Sequence, residues 1–242
     1  VVVADGAMGT MLQGFDLELS DFDHHEGCNE ILNVTRPDVV REIHDAYLEV
    51  GADCVTTNTF GANLSNLSEY QIEDRIGELA EAGARIAREA ADSYSTADKP
   101  RWVLGSMGPG TKLPTLGHVS FAVLRDTYQE CAAGLLRGGV DALLIETAQD
   151  LLGAKASIIG AKRAIEDSGR DVVLIANVTI ETTGTMLLGT EIGAALNALE
   201  PLGIDLIGLN CATGPAEMTE HLRYLSQHAG IGLSCMPNAG LP

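Results

Sequence analysis

The side chains in this sequence that could do chemistry stand where an apolar run gives way to glycine. Cys211 lies in Ile204-Asp205-Leu206-Ile207-Gly208-Leu209-Asn210-Cys211-Ala212-Thr213-Gly214-Pro215. That run reads as a buried parallel strand, bounded by Gly203 before it and Gly214-Pro215 after it. A thiol at the C-terminal end of a parallel strand sits where α/β barrels place their chemistry; the alternative is a small buried structural cysteine. Asp5 opens Asp5-Gly6-Ala7-Met8-Gly9-Thr10, a carboxylate beside glycines that let a ligand approach the backbone closely. A tight turn capped by Asp would give the same pattern. Glu146 follows Leu143-Leu144-Ile145, so a carboxylate emerges from an apolar strand and must meet a cation or face an open mouth. With Asp5 at the same end, an ammonium-bearing ligand fits both; a structural salt bridge to a neighbouring Arg or Lys is the competing reading.

Other candidates carry less. Gly105-Ser106-Met107-Gly108-Pro109-Gly110 matches neither dinucleotide nor P-loop patterns and reads as a strand-to-loop bend. His24 and His25 sit in an acidic loop and read as solvated; His44, His118, His221 and His228 show no metal-ligand spacing. Cys54 and Cys131 fall in apolar context and read as core residues. Cys28 lies in a loop and Cys235 in a strand, its side chain expected within the sheet wall.

The elements that position these residues alternate regularly. Strands are predicted at Val1–Asp5, Ala52–Phe60, Arg101–Met107, Val140–Thr147, Val172–Ile180, the Cys211 stretch and Ile231–Met236. Helices are predicted at Arg36–Val50 with Thr35 as N-cap, and through Ile72, Ile76, Leu79, Gly83, Ile86 and Ala90. Further helices cover about 120–136, a stretch ending near Asp167, about 191–199 and about 217–227. Such alternation gives a parallel sheet. Polar residues close nearly every strand (Asp5, Thr57, Asn58, Ser106, Glu146, Thr147, Asn177, Thr179, Asn210, Cys211, Asn238), which favours a closed barrel over an open sheet with one switch point. The predicted class is therefore a (β/α)8 TIM barrel, with the eighth strand expected beyond Pro242 and the chain expected to be trimmed. Residues 1–242 read as one domain, C-terminally incomplete.

The chain has 242 residues, 45% hydrophobic but only 4% aromatic, so its core must be aliphatic. A net charge of −19 repels nucleic acid and anionic membrane surfaces. No apolar run is long enough to span a bilayer. Five widely spaced cysteines form no disulfide framework and point to a reducing, cytoplasmic setting.

Together these motifs resemble the homocysteine S-methyltransferase family. The resemblance rests on Asp5-Gly6-Ala7-Met8-Gly9-Thr10, Thr57-Asn58-Thr59-Phe60, Gly105-Ser106-Met107-Gly108-Pro109, Glu146-Thr147 and Gly208-Leu209-Asn210-Cys211-Ala212-Thr213-Gly214-Pro215. Leu199-Glu200-Pro201-Leu202-Gly203 and Met236-Pro237-Asn238-Ala239-Gly240 favour the branch of homocysteine-binding domains in cobalamin-dependent enzymes.

The resemblance implies zinc held by cysteine thiolates, with Cys211 as one ligand and an adjacent Cys-Cys pair expected after Pro242. It implies Asn238 near the metal's open position. It also implies L-homocysteine held by Asp5, Gly6, Ala7 and Glu146, and methyl transfer from methylcobalamin to give methionine. No catalytic side chain is expected beyond the metal's activation of the sulfur. Cobalamin- and folate-binding modules would belong to the same polypeptide, and this stretch alone would lack zinc and be inactive. Many members of the family carry Glu where this chain has Thr56. Two other readings stay open: a stand-alone methyltransferase using a small sulfonium or quaternary ammonium donor, and a non-catalytic, metal-free barrel.

Overall fold

The computed structural model describes residues 1–239; Gly240, the last residue of one quoted motif, lies outside that span, as do Leu241 and Pro242. A short helix α1 (Met8–Leu12) precedes α2 (Leu32–Thr35) and α3 (Pro37–Glu49). Then come β1 (Cys54–Thr56), α4 (Leu64–Glu69), α5 (Ile76–Tyr94), β2 (Trp102–Met107) and α6 (Phe121–Gly138). The chain continues with β3 (Ala142–Ala148), α7 (Leu151–Ser168), β4 (Val173–Val178) and α8 (Ile192–Leu199). It closes with β5 (Leu206–Asn210), α9 (Pro215–His228) and β6 (Gly232–Met236).

The strands form a six-stranded sheet in the order β1-β2-β3-β4-β5-β6, every neighbour parallel. This is the arrangement of a curled, incomplete α/β barrel, as the alternation predicted. The expected first strand is reduced to one bridge, Ala4 to Cys54. Val3 and Asp5 still bond β1 through Cys54 N to Val3 O and Asp5 N to Cys54 O, but Val1–Val3 are exposed. The expected strand Ala52–Phe60 shortens to β1: Thr57 N still donates to Leu104 O at 2.9 Å, and beyond that bond Thr57 and Thr59 reach β2 through their side chains.

Period-two alternation sorts the sheet into two faces. Val55, Val103, Leu143, Ile145, Leu174, Ala176, Ile207 and Leu209 pack against the helices in the main core. Cys54, Leu104, Ala142, Leu144 and Ile175 form a separate cluster on the inner face, with Ala4, Leu206 and Met236 against it. Continuing the alternation toward the strands' C-terminal ends puts Thr56, Ser106, Glu146, Asn177 and Asn210 on that inner face. The lower barrel is thus apolar and its upper layer polar.

Thr35 does not cap α3: Arg36 holds the N-cap position, Pro37 starts the helix, and the Thr35 hydroxyl donates back to Ile31 O at 3.1 Å. Ser120 does cap α6, accepting from Val123 N, and Gly139 in the left-handed region ends it. Cys54 and Cys131 are buried as expected, with burial pushing each thiol up to about 12. Cys235 corrects an expectation. It lies in β6, but the alternation turns it to the outer face, where it is exposed rather than sealed in the wall.

Candidate active site

Asp5 is half-buried at the barrel mouth and is held by the neighbouring strand. Its Oδ2 accepts Thr56 N at 2.7 Å and its Oδ1 accepts the Thr56 hydroxyl at 2.7 Å. Thr56 is therefore the anchor of Asp5. Burial pushes Asp5 up to about 7, with the nearby Glu146 charge adding to it against the Thr56 bonds.

Glu146 is built from further away. Beyond β1 the ladder is continued by side chains: Thr57 Oγ1 accepts Ser106 N at 2.9 Å, and Thr59 Oγ1 donates to Ser106 O at 2.7 Å. The fixed Ser106 hydroxyl then donates to Glu146 Oε1. Burial holds the Glu146 carboxyl above the ordinary carboxylate range. The salt-bridge alternative for these acids fails: among the described residues neither Asp5 nor Glu146 pairs with Arg, Lys or His.

Cys211 is half-buried just past β5, in the left-handed region at φ 57°. Its sulfur receives Asn210 Nδ2 at 3.2 Å and the Thr147 hydroxyl at 3.6 Å. Burial pushes the thiol above its ordinary value, so it is protonated at neutral pH. Asn238 lies close by in the chain's path, its N–H donating to Thr213 O at 3.1 Å.

Gly6 and Ala7 are exposed beside Asp5, and among the described residues their backbone N–H groups have no hydrogen-bond acceptor. Tyr47, from α3, had no sequence signal; its hydroxyl reaches Ala7 O at 3.3 Å and lies 2.9 Å from where a Cβ on Gly6 would stand.

Some strand-end residues do not join the mouth. Asn58 turns outward and bonds Asn29 O and Asn33 Oδ1 at 2.8 and 3.0 Å, locking β1 to the α2 region. Asn177 is fully buried, reaching Ser234 Oγ at 3.1 Å across Gly208, where a Cβ would stand 2.0 Å from Ser234 O.

Zinc binding needs at least three protein ligands. Among the described residues no three His, Cys, Asp or Glu come together to hold a metal, so Cys211 offers a lone sulfur. These residues do not by themselves make a zinc site.

Fold and site together define an α/β-barrel protein with a carboxylate pair and a thiol at the carboxyl ends of its strands. The sequence pattern of the family described as Homocysteine S-methyltransferase matches residues 2–242. The chain belongs to that family. It is 64% identical over 242 residues to a methionine synthase of Mycobacterium tuberculosis and 63% identical to that of Mycobacterium leprae. Each match covers this whole chain and 20% of the relative, so the chain spans about a fifth of their length. Among solved structures it resembles the Escherichia coli homocysteine methyltransferase MmuM in its metallated form, with TM-score 0.81 and 22% identity. That alignment covers 99% of this chain and 84% of the other. The apo form aligns with TM-score 0.75. Among the described residues no helix is long and apolar enough to cross a membrane.

Proposed function

We propose that this barrel binds L-homocysteine and places its sulfur for S-methylation, giving methionine. The observation that carries the reading is the pair Asp5 and Glu146. Both carboxyls sit at the mouth, both are held above their ordinary range by burial, and neither has a cationic partner among the described residues. A ligand ammonium between them would favour their ionised forms and relieve their mutual repulsion. The unpartnered amides of Gly6 and Ala7 would take the ligand carboxylate. Cys211 is one side chain from Glu146, since the Asn210 amide touches both, and it marks where the ligand's sulfur belongs.

Zinc is part of the proposal as the group that would deprotonate that sulfur, because coordination removes a thiol's proton. Cys211 would be the ligand this stretch contributes, with Asn238 beside it. The completing thiolates would have to come from outside the described residues.

Two donors are compatible with this acceptor site. This chain lies almost wholly within an enzyme named homocysteine methyltransferase and covers 84% of it, which favours a barrel that acts without further modules and takes methyl from a small sulfonium or quaternary ammonium compound. The relatives named methionine synthase, of which this chain is a fifth, support methylcobalamin as donor. In that case residues 1–242 would act as the homocysteine domain beside cobalamin- and folate-binding modules. The free cysteines suit a reducing, cytoplasmic setting.

Titration calorimetry of the natural polypeptide with homocysteine tests the acceptor reading. A hydrogen bond to a charged group contributes about 1.5–3 kcal/mol, so Glu146→Gln should weaken binding by about ten- to a hundredfold. Unchanged affinity would overturn the assignment of Glu146. Turnover with each donor class in turn separates the donors, and homocysteine binding without turnover on any of them would leave a non-catalytic barrel.

A further inference from the structure

β3 and β4 run in step as far as Ile145 opposite Ala176, and then Ala148 faces Val178. One extra residue has entered β3 at Glu146-Thr147, which is a β-bulge. Thr147 adopts φ 57° there, an uncommon conformation for a β-branched residue. The bulge takes the Thr147 N–H off the ladder, and a half-buried N–H without an acceptor is costly. Asn210, 1% exposed on the inner face of β5, reaches past β4 and supplies its Oδ1 at 2.6 Å. The other end of the same amide has three acceptors within reach. Nδ2 lies 2.8 Å from Thr147 Oγ1, 3.2 Å from Cys211 Sγ and 3.3 Å from Glu146 Oε2. The backbone carbonyl of Asn210 accepts from the Thr179 hydroxyl at 3.3 Å.

We propose that Asn210 is a positioning residue of the acceptor site, fixing the Glu146 carboxylate and the Cys211 sulfur against each other. Recognition of the substrate's amino group and placement of its sulfur then depend on one side chain. The inference rests on the reading above, that Glu146 receives the ammonium.

The acceptor and donor ends of the amide can be separated by substitution. Asn210→Asp keeps an oxygen for Thr147 N and so keeps the bulge, but it has no N–H for Glu146 or Cys211. Asn210→Leu removes both. In the natural polypeptide, Asn210→Asp should keep the bulge, lose less stability than Asn210→Leu although its carboxyl crowds Glu146, and bind homocysteine at least about tenfold more weakly. Asn210→Leu should lose both stability and affinity. In a Glu146→Gln background the further effect of Asn210→Asp on affinity should shrink to about twofold or less, as expected of coupled neighbours. Parent-like homocysteine affinity in Asn210→Asp, with Glu146→Gln impaired, would show that Asn210 only holds the bulge and would overturn the proposal. If Glu146→Gln also binds as the parent does, the ammonium reading falls and this inference falls with it.

Discussion

Asp5 shows how one residue's surroundings set its chemistry. Its carboxyl is raised from 3.8 to about 7, chiefly by burial. Between those values the folded chain holds a proton that the unfolded chain has released. Asp5 therefore lowers stability as pH rises from about 4 to 7, and Asp5→Asn should flatten that slope in urea titrations. An ammonium ligand pulls the other way, so homocysteine should bind more tightly as pH rises through 7 and should release a proton. Calorimetry in buffers of different ionisation enthalpy measures that release, and no release would contradict the pairing. His44 has the opposite sign. It is fully buried on α3, neither ring nitrogen has a partner among the described residues, and burial, aided by Arg41, lowers it to about 4. The unfolded chain takes up a proton first, near 6.5, so stability falls as pH drops from 6.5 to 4. At about 1.4 kcal/mol per unit, some 3 kcal/mol depends on His44 remaining neutral. His44→Phe should remove that acid sensitivity, read as a smaller fall in melting temperature between pH 7 and pH 5. The sequence does carry a sign of this, since His44 stands four residues from both Val40 and Leu48, on the buried face of α3.

At the scale of elements, the Thr57-Asn58-Thr59 motif prolongs β1 by side chains once its backbone has turned away. Thr57 and Thr59 bracket Ser106, and Ser106 holds Glu146. Thr57→Val would leave the buried Ser106 N–H without its acceptor, at a cost of about 1–3 kcal/mol. It should also weaken homocysteine binding without touching the ligand. Chemical denaturation and calorimetry on one variant check both effects; a loss of stability with unchanged affinity would separate the motif from the site. The helices were legible because their apolar periodicity and caps are local, as Ser120 and Gly139 at the two ends of α6 show. The bulge in β3 was not legible. It is a register slip between strands, and nothing within Glu146-Thr147 announces it.

For the whole molecule, the burial of its thiols makes a ranked prediction. Cys235 is exposed, Cys211 half-buried, and Cys28, Cys54 and Cys131 buried. Alkylation of the native chain should therefore modify Cys235 first and Cys211 second, with the other three protected until unfolding. Early labelling of Cys54 or Cys131 would contradict the packing. The 242-residue chain by itself should bind no stoichiometric zinc, since its described residues bring one thiol to the mouth. Metal analysis of the purified chain, with the natural polypeptide as reference, decides this.

The sequence by itself determined the β-α alternation, the parallel sheet and the strand ends that carry Asp5, Glu146 and Cys211. Each of these follows from local apolar runs and the glycines that stop them. The family was legible for the same reason, since its motifs are the short segments at those strand ends. Only the tertiary structure decided which strand-end residues face one another. Asn58 leaves the mouth to bind Asn33, Cys235 turns outward, and Asn210 joins Glu146 to Cys211. Those outcomes depend on register, on the inner or outer face of each strand and on one bulge. All three are set by pairing between segments far apart in the chain, where no local pattern records them.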